Sequence, residues 1–167
     1  VLPMQVFVHD VVILYMCLSI SSAFANLELE RKETNMGNVT VLGSFIVDLA
    51  FRGDRLPVPG ETVFGEFTMG PGGKGSNQAV AAKLAGADVS LITALGEDIF
   101  ADVALEFYKE IGMNEGFIYR AKDSHTGVAS IGVETKNGQN QIMVATGACD
   151  KINEDVIRQA SAFLNVK

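Results

Sequence analysis

The sequence predicts an α/β fold, with a mainly parallel sheet flanked by helices and a smaller β-rich unit inserted into it. Three observations carry this. Short apolar runs at 39–44, 89–95 and 117–120 alternate with helix-like segments, the rhythm of strand–helix–strand units. Two stretches break that rhythm, about 49–70 and about 127–147, and both mix polar with apolar residues in the alternating manner of half-exposed strands that pair in a small separate sheet. With 48% hydrophobic and 20% charged residues, 167 residues suffice for one globular domain with a real core.

Residues 1–35 are set apart as an N-terminal extension, and the domain is taken to run from Met36 to residue 167. Within the extension, VVILYMCLSISSAFA (11–25) is apolar and ends in small residues like a signal-peptidase site. No lysine or arginine precedes it and Asp10 does, so a plain extension is the reading taken and an export signal the alternative. The run is also short and serine-interrupted for a membrane span.

From Val39 the elements come in order. VTVLGS (39–44) reads as a buried strand meeting a loop, and LAFRGDRLPVPGE (49–61) as a loop rich in turn formers. TVFGEFTM (62–69) alternates like a half-exposed strand. After a glycine loop, SNQAVAAKLAGA (76–87) reads as a helix whose alanines suit close packing and whose Gly86 suits its end. VSLITAL (89–95) is a second buried strand. DIFADVALEFYKEIG (98–112) is an amphipathic helix with Ile99, Val103, Phe107 and Ile111 on one face. FIYR (117–120) is a third short strand. Asn137-Gly138, between two alternating runs, signals a hairpin. KINEDVIRQASAF opens a helix with Asn153 as N-cap, and LNVK (164–167) reads as the start of another strand.

Composition excludes several functions. A net charge of −7 gives a nucleic-acid surface no electrostatic support. Cys17 and Cys149 are too few for a disulfide scaffold, and with only His9 and His125 a metal cluster is not expected. A reducing, cytoplasmic setting without membrane attachment is the default.

The chemistry gathers at GPGGKGS (70–76). A phosphate loop needs G-x-x-x-x-G-K-[ST], but Thr68 stands at the first glycine position and Gly75 comes after Lys74, so the motif fails. Gly70 to Gly75 do match the dinucleotide pattern G-x-G-x-x-G, with Glu97 as a candidate ribose acid. The strand ahead carries polar Glu66 and Thr68, unlike a central parallel strand. A nicotinamide-dependent oxidoreductase is thus kept only as a minor alternative. Glycines alone make tight turns, yet Lys74 and Asn77 bracket the helix start three residues apart and can face one pocket. Unpaired N–H groups there suit hydroxyl oxygens as well as phosphates.

GSFIVDL (43–49), RLPVPGETV (55–63), GPGGKGSNQAVAAKLAGA (70–87), ITALGED (92–98) and TGVA (126–129) occur in an order that resembles the ribokinase family of carbohydrate kinases, the phosphofructokinase-B type. The resemblance runs from about Val39 to the end. It implies a three-layer sandwich with a β lid, transfer of the ATP γ-phosphoryl group to a sugar primary hydroxyl, and Mg²⁺ with room for a monovalent cation. It implies a sugar pocket lined by Gly72, Gly73, Lys74 and Asn77, with Asp48, on the loop after the first strand, accepting hydrogen bonds from sugar hydroxyls. It further implies that the two β-rich insertions form the lid and pair two subunits into a homodimer.

Two departures qualify this. Ile46 stands where the family usually has asparagine, which puts ribose itself in doubt and leaves a related sugar open. The family's catalytic aspartate, in G-A-G-D, and its ATP site belong to a C-terminal half not expected in this chain, so no catalytic residue is assigned and no turnover is expected of it alone. A non-catalytic sugar-binding or lid-dimerising remnant is the alternative. Gly147-Ala148-Cys149-Asp150 mimics G-A-G-D, but the Cys149 side chain blocks close backbone approach, and Asp150 reads as a solvated turn residue. Glu97 and Asp98 read as helix caps, His125 as an exposed loop residue, and Thr126 and Val128 as residues near substrate.

Overall fold

A computed structural model describes residues 38–113 and 116–163. The extension at 1–35 and the strand expected at 164–167 lie outside these residues. Among the described residues, seven strands and three α-helices run in the order β1 (Asn38–Leu42), β2 (Ile46–Gly53), β3 (Glu66–Gly72), α1 (Lys74–Leu84), β4 (Asp88–Gly96), α2 (Ile99–Glu110), β5 (Phe117–Ala121), β6 (Gly127–Glu134), β7 (Asn140–Ala145) and α3 (Glu154–Phe163), with a short 3₁₀ helix at Gly147–Lys151.

The strands form two sheets. One is wholly parallel, in the order β1-β4-β5, and the other is mixed, in the order β3-β2-β6-β7. β2 is the pivot of the second sheet, antiparallel to β3 and parallel to β6. The expected division into a parallel body and a small β unit is therefore present.

Strand β4 explains the layering. Its buried Val89, Leu91 and Leu95 join a core with Ala79 and Val80 of α1 and with Ala101, Ala104 and Tyr108 of α2. Ala94, on the opposite face, packs with Ala121 and with Ala148 of the 3₁₀ helix. Helices thus cover both faces of β4, as a strand buried on both sides requires, whereas β1, expected to be buried, lies at the sheet edge with Thr40 and Leu42 exposed. Small residues at the contacts let the helices approach closely. Thr93 lies fully buried on the same face of β4 as Leu91 and Leu95, and its Oγ1 has no hydrogen-bond partner among the described residues.

The caps agree with the sequence. Asp98 caps α2 by accepting from the Ala101 N–H at 3.0 Å, Asn153 Oδ1 accepts from the Val156 N–H at 3.0 Å, and Gly86 takes φ +100 just past α1. The hairpin turns at Asn137-Gly138, with Gly138 at φ +73.

Three boundaries differ from expectation. Residues 49–53 belong to β2 rather than to a loop, so Asp48 lies within a strand. Residues 49–52 are held extended from both sides, by β3 and by β6, and Gly53 by β6 alone, so tertiary pairing carries the strand up to the turn-rich residues 54–61, which stay outside it. The strand expected over 62–69 occupies 66–72 and takes in Gly70, Pro71 and Gly72. Pro71 is tolerated because β3 is an edge strand, where its missing N–H costs no ladder bond. Helix α1 begins at Lys74, two residues early.

The RLPVPGE connection closes on itself. The Arg55 guanidinium binds the Glu61 carboxylate, which also accepts from the Val58 N–H at 3.1 Å. Among the described residues no helix is long and apolar enough to cross a membrane.

Candidate functional site

The site grows from the register of the second sheet. Ile46 and Asp48 alternate onto one face of β2. Ile46 is paired with Gly72 on β3 and Gly127 on β6, and Asp48 with Gly70 and Ala129. That patch is a floor of residues with little or no side chain, from which Asp48 and Ile46 stand out. A Cβ added to Gly72 would lie 2.3 Å from Asp48 Oδ2, and one added to Gly127 would lie 2.4 Å from Ile46 Cδ1. Each glycine leaves the space its neighbour occupies. Asp48 is half-buried, and burial pushes its carboxyl above the ordinary value.

The chain then turns from β3 into α1 through Gly73, at φ +92. A Cβ there would sit 2.6 Å from the Ser44 carbonyl oxygen and 2.8 Å from the Ile46 nitrogen. Gly75 lies flat against Gly43, where an added Cβ would come within 2.5 Å of the Gly43 Cα. So the glycines of this loop serve two ends, a turn no other residue makes cheaply and close approach of the helix start to the segment leaving β1. Ser76 fastens the contact, its N–H donating to the Ser44 carbonyl at 3.1 Å and its hydroxyl meeting the Tyr108 hydroxyl at 2.8 Å. Burial drives the Tyr108 phenol up to about 12. Phe45 meets the Tyr108 ring edge-on, centroids 5.9 Å apart.

Of the residues singled out in the sequence, Asp48, Gly72 and Gly73 come together at the junction of β2, β3 and α1. Lys74 and Asn77 are exposed on the first turn of α1, on either side of the buried Gly75 and Ser76. The positive dipole end of α1 follows directly on Gly72, over which the Asp48 carboxyl stands, while the Ser76 and Asn77 N–H groups are taken by the Ser44 and Gly73 carbonyls. Acceptor and positive end together suit a polyhydroxylated ligand.

Other candidates have different roles. The glycine-rich pattern comes after an antiparallel edge strand, so it lacks the buried parallel strand that precedes a dinucleotide loop. Asp150 is exposed on the 3₁₀ helix directly after β7 and accepts from the Thr146 hydroxyl. Cys149 is half-buried, its thiol lying 3.4 Å from the Phe45 carbonyl and raised by burial. His125 is exposed, as expected. Thr126 is fully buried and its hydroxyl is taken up internally, donating to Asp98 Oδ1 at 2.7 Å and accepting from the Gly96 N–H at 2.9 Å.

The sequence reading missed the Ser76–Tyr108 and Asp98–Thr126 bonds. Their partners lie 32 and 28 residues apart, beyond any local spacing rule. Only the capping signal at Asp98 was visible. A cavity of about 670 Å³ opens elsewhere, between the connection at 54–65 and the outer part of the second sheet. It does not include Asp48 or the glycine loop. Among the described residues no three His, Cys, Asp or Glu side chains converge to hold a metal ion.

Comparison with known proteins converges on one family. Residues 36–166 match the pfkB family carbohydrate kinase model. Mouse ribokinase is 36% identical over 135 residues, an alignment covering 80% of this chain and 42% of that protein. A deoxyribokinase of Salmonella typhi is 37% identical over 125 residues, covering 74% and 40%. Among solved structures, ribokinase from Giardia lamblia superposes with a TM-score of 0.70 at 30% identity, covering 77% of this chain and 38% of that one. Arabidopsis thaliana ribokinase, complexed with ribose and ATP, superposes with a TM-score of 0.59 at 28% identity, covering 65% and 36%. The chain spans about two fifths of the length of the curated relatives it matches.

Proposed function

The chain belongs to the pfkB family of carbohydrate kinases, and from that premise we propose that it holds the sugar-binding part of an ATP-dependent sugar kinase. One observation carries the reading. The half-buried carboxyl of Asp48 stands over Gly72 at the foot of α1, an acceptor beside the positive end of a helix. Sugar hydroxyls donate to Asp48, backbone groups at the turn through Gly73 take up hydroxyl oxygens, and Lys74 and Asn77 close the pocket from the first turn. The second sheet serves as the lid over this site.

Ile46 bears on which sugar binds. It presents no hydrogen-bonding atom beside Asp48, so a hydroxyl directed at it loses its water without compensation. A deoxyribokinase stands among the relatives, and 2-deoxyribose belongs beside ribose in any test.

ATP, its Mg²⁺ and the base that deprotonates the sugar hydroxyl are assigned to the part of the full-length relatives that this chain does not match. Asp150 is not proposed as the base. A homodimer through the second sheet is proposed on its outer face, where Phe51, Phe67 and Met143 are 49%, 56% and 76% exposed.

Calorimetric titration of ribose and 2-deoxyribose tests the reading, with Asp48→Ala and Asn77→Ala as controls. Saturable binding that both substitutions weaken supports it. Failure of the folded chain to bind either sugar, together with binding of NADH, overturns it in favour of the oxidoreductase alternative.

A further inference from the structure

We propose that Asp98 is a positioning residue that sets how the second sheet is carried on the body of the protein, acting through Thr126 at the point where that sheet is hinged. The four strands of the sheet meet the body at one place. β2 starts after Phe45, β3 ends at Gly72, β6 starts at Gly127 and β7 ends at Ala145. Gly127 lies where these ends converge. A Cβ added to it would fall 3.0 Å from the Phe45 carbonyl, 3.0 Å from the Thr146 carbonyl and 2.4 Å from Ile46 Cδ1. The segment just before it, 124–126, is the part tied to the body.

That tie is made by one carboxylate. Asp98 Oδ2 accepts the Thr126 N–H at 2.8 Å, while Oδ1 accepts the Thr126 hydroxyl at 2.7 Å and the Ala101 N–H at 3.0 Å. The Thr126 hydroxyl in turn accepts the Gly96 N–H at 2.9 Å. Gly96 packs so tightly here that a Cβ would lie 2.5 Å from the Ser124 carbonyl. The end of β4, the start of α2 and the start of β6 are thereby joined at a side chain with no solvent exposure. Charge-assisted bonds of this kind are roughly twice as strong as neutral ones.

The same segment holds the other strand that leaves the sheet. The Ala148 N–H donates to the His125 carbonyl at 2.7 Å, and Gly147, at φ +54, leaves room for the His125 ring. Fixing 125–126 therefore fixes both the start of β6 and the exit of β7. Asp98 touches neither Asp48 nor the glycine loop, and its influence on them passes through β6, the direct neighbour of β2.

A helix cap alone would not produce this influence, and Asp98→Ser separates the two roles. Serine caps about as well as aspartate but is too short to hold Thr126 by both its N–H and its hydroxyl. The second variant, Thr126→Val, keeps the side-chain shape and removes the hydroxyl bonds. In hydrogen-exchange measurements on the full chain, both variants are expected to speed exchange of the Ala148 amide about tenfold, the scale of a lost charged hydrogen bond. The amides of α2 from Ala101 onward are expected to stay protected in Asp98→Ser. The double variant should be no worse than the more affected single one, since both break one latch.

Sugar affinity, which rests on the proposed sugar site, is expected to fall in parallel. If the unaltered chain binds no sugar, that reading fails while the exchange comparison still decides this one. Unchanged Ala148 exchange in Asp98→Ser, or in Thr126→Val should the serine variant not fold, overturns the proposal and leaves Asp98 a cap.

Discussion

The Asp48 carboxyl occupies the volume that a side chain at position 72 would need, with Oδ2 standing 2.3 Å from where a Gly72 Cβ would be. Gly72→Ala must therefore displace either the carboxyl or strand β3. Sugar affinity is expected to drop at least tenfold, because a positioned acceptor is lost. The melting temperature should fall by only a few degrees, since Asp48 can swing out of the way. Calorimetry and thermal denaturation of the same sample check both.

Burial raises the Asp48 pKa above 3.8. A carboxyl with a higher pKa folded than unfolded takes up protons on folding, so it lowers stability as pH rises through that interval. The penalty persists at neutral pH. Asp48→Asn is expected to flatten this part of the stability profile and to melt slightly higher at neutral pH, while sugar binding is lost. In the unaltered chain, sugar affinity should weaken on acidification with a midpoint above 3.8, because the ionised carboxylate is the better acceptor. Melting and binding curves across the acid range measure both.

Thr93 buries a hydroxyl that has no partner among the described residues. Thr93→Val keeps the shape and removes that liability, so a stabilisation of about 1 kcal/mol is expected. Denaturant unfolding should show a higher midpoint at an unchanged slope.

The Ser76–Tyr108 bond is the converse case, a buried pair that satisfies itself. Tyr108→Phe strands the serine hydroxyl and should cost about 1–3 kcal/mol. Adding Ser76→Ala to that variant removes the stranded group and should recover part of the loss, which a double-mutant cycle measures.

Much of this architecture was legible in the sequence because it is local. The helix at 98–112 carried its cap, and its apolar spacing found Val103, Phe107 and Ile111 against the core but not Ile99, which is 74% exposed. The Asn137-Gly138 turn named its hairpin, and the apolar run at 89–95 marked a buried parallel strand. The run at 39–44 falls on β1, a parallel strand at the sheet edge with no buried residue, because it has a neighbour on one side only. The extent of β2 was not legible. Its outer residues Phe51 and Arg52 are extended because neighbours on both sides hold them, and Gly53 because β6 does, and a linear reading lacks those neighbours. The site was half visible. Glycines at 72 and 73 announced a special backbone, but the reason for each is a distant partner, Asp48 for one and Ser44 with Ile46 for the other. Thr126 shows the same limit, since its buried hydroxyl serves Asp98 and Gly96.

On the outer face of the second sheet, Phe51 and Phe67 pack with tilted rings, centroids 5.1 Å apart, and stay about half exposed, an apolar patch that reaches the open edge strand β3. Sedimentation velocity is expected to show a dimer that Phe67→Lys converts to monomer. Sugar binding should survive that change, because Phe67 faces away from Asp48.

The most direct test is a crystal structure of the chain with ribose or 2-deoxyribose bound. The sugar is expected between Asp48 and the first turn of α1, with two hydroxyls within hydrogen-bond distance of the carboxylate and its least polar edge over Ile46. A sugar seated in the cavity beside 54–65, or one that leaves Asp48 and Gly73 untouched, would contradict the assignment of this loop to sugar.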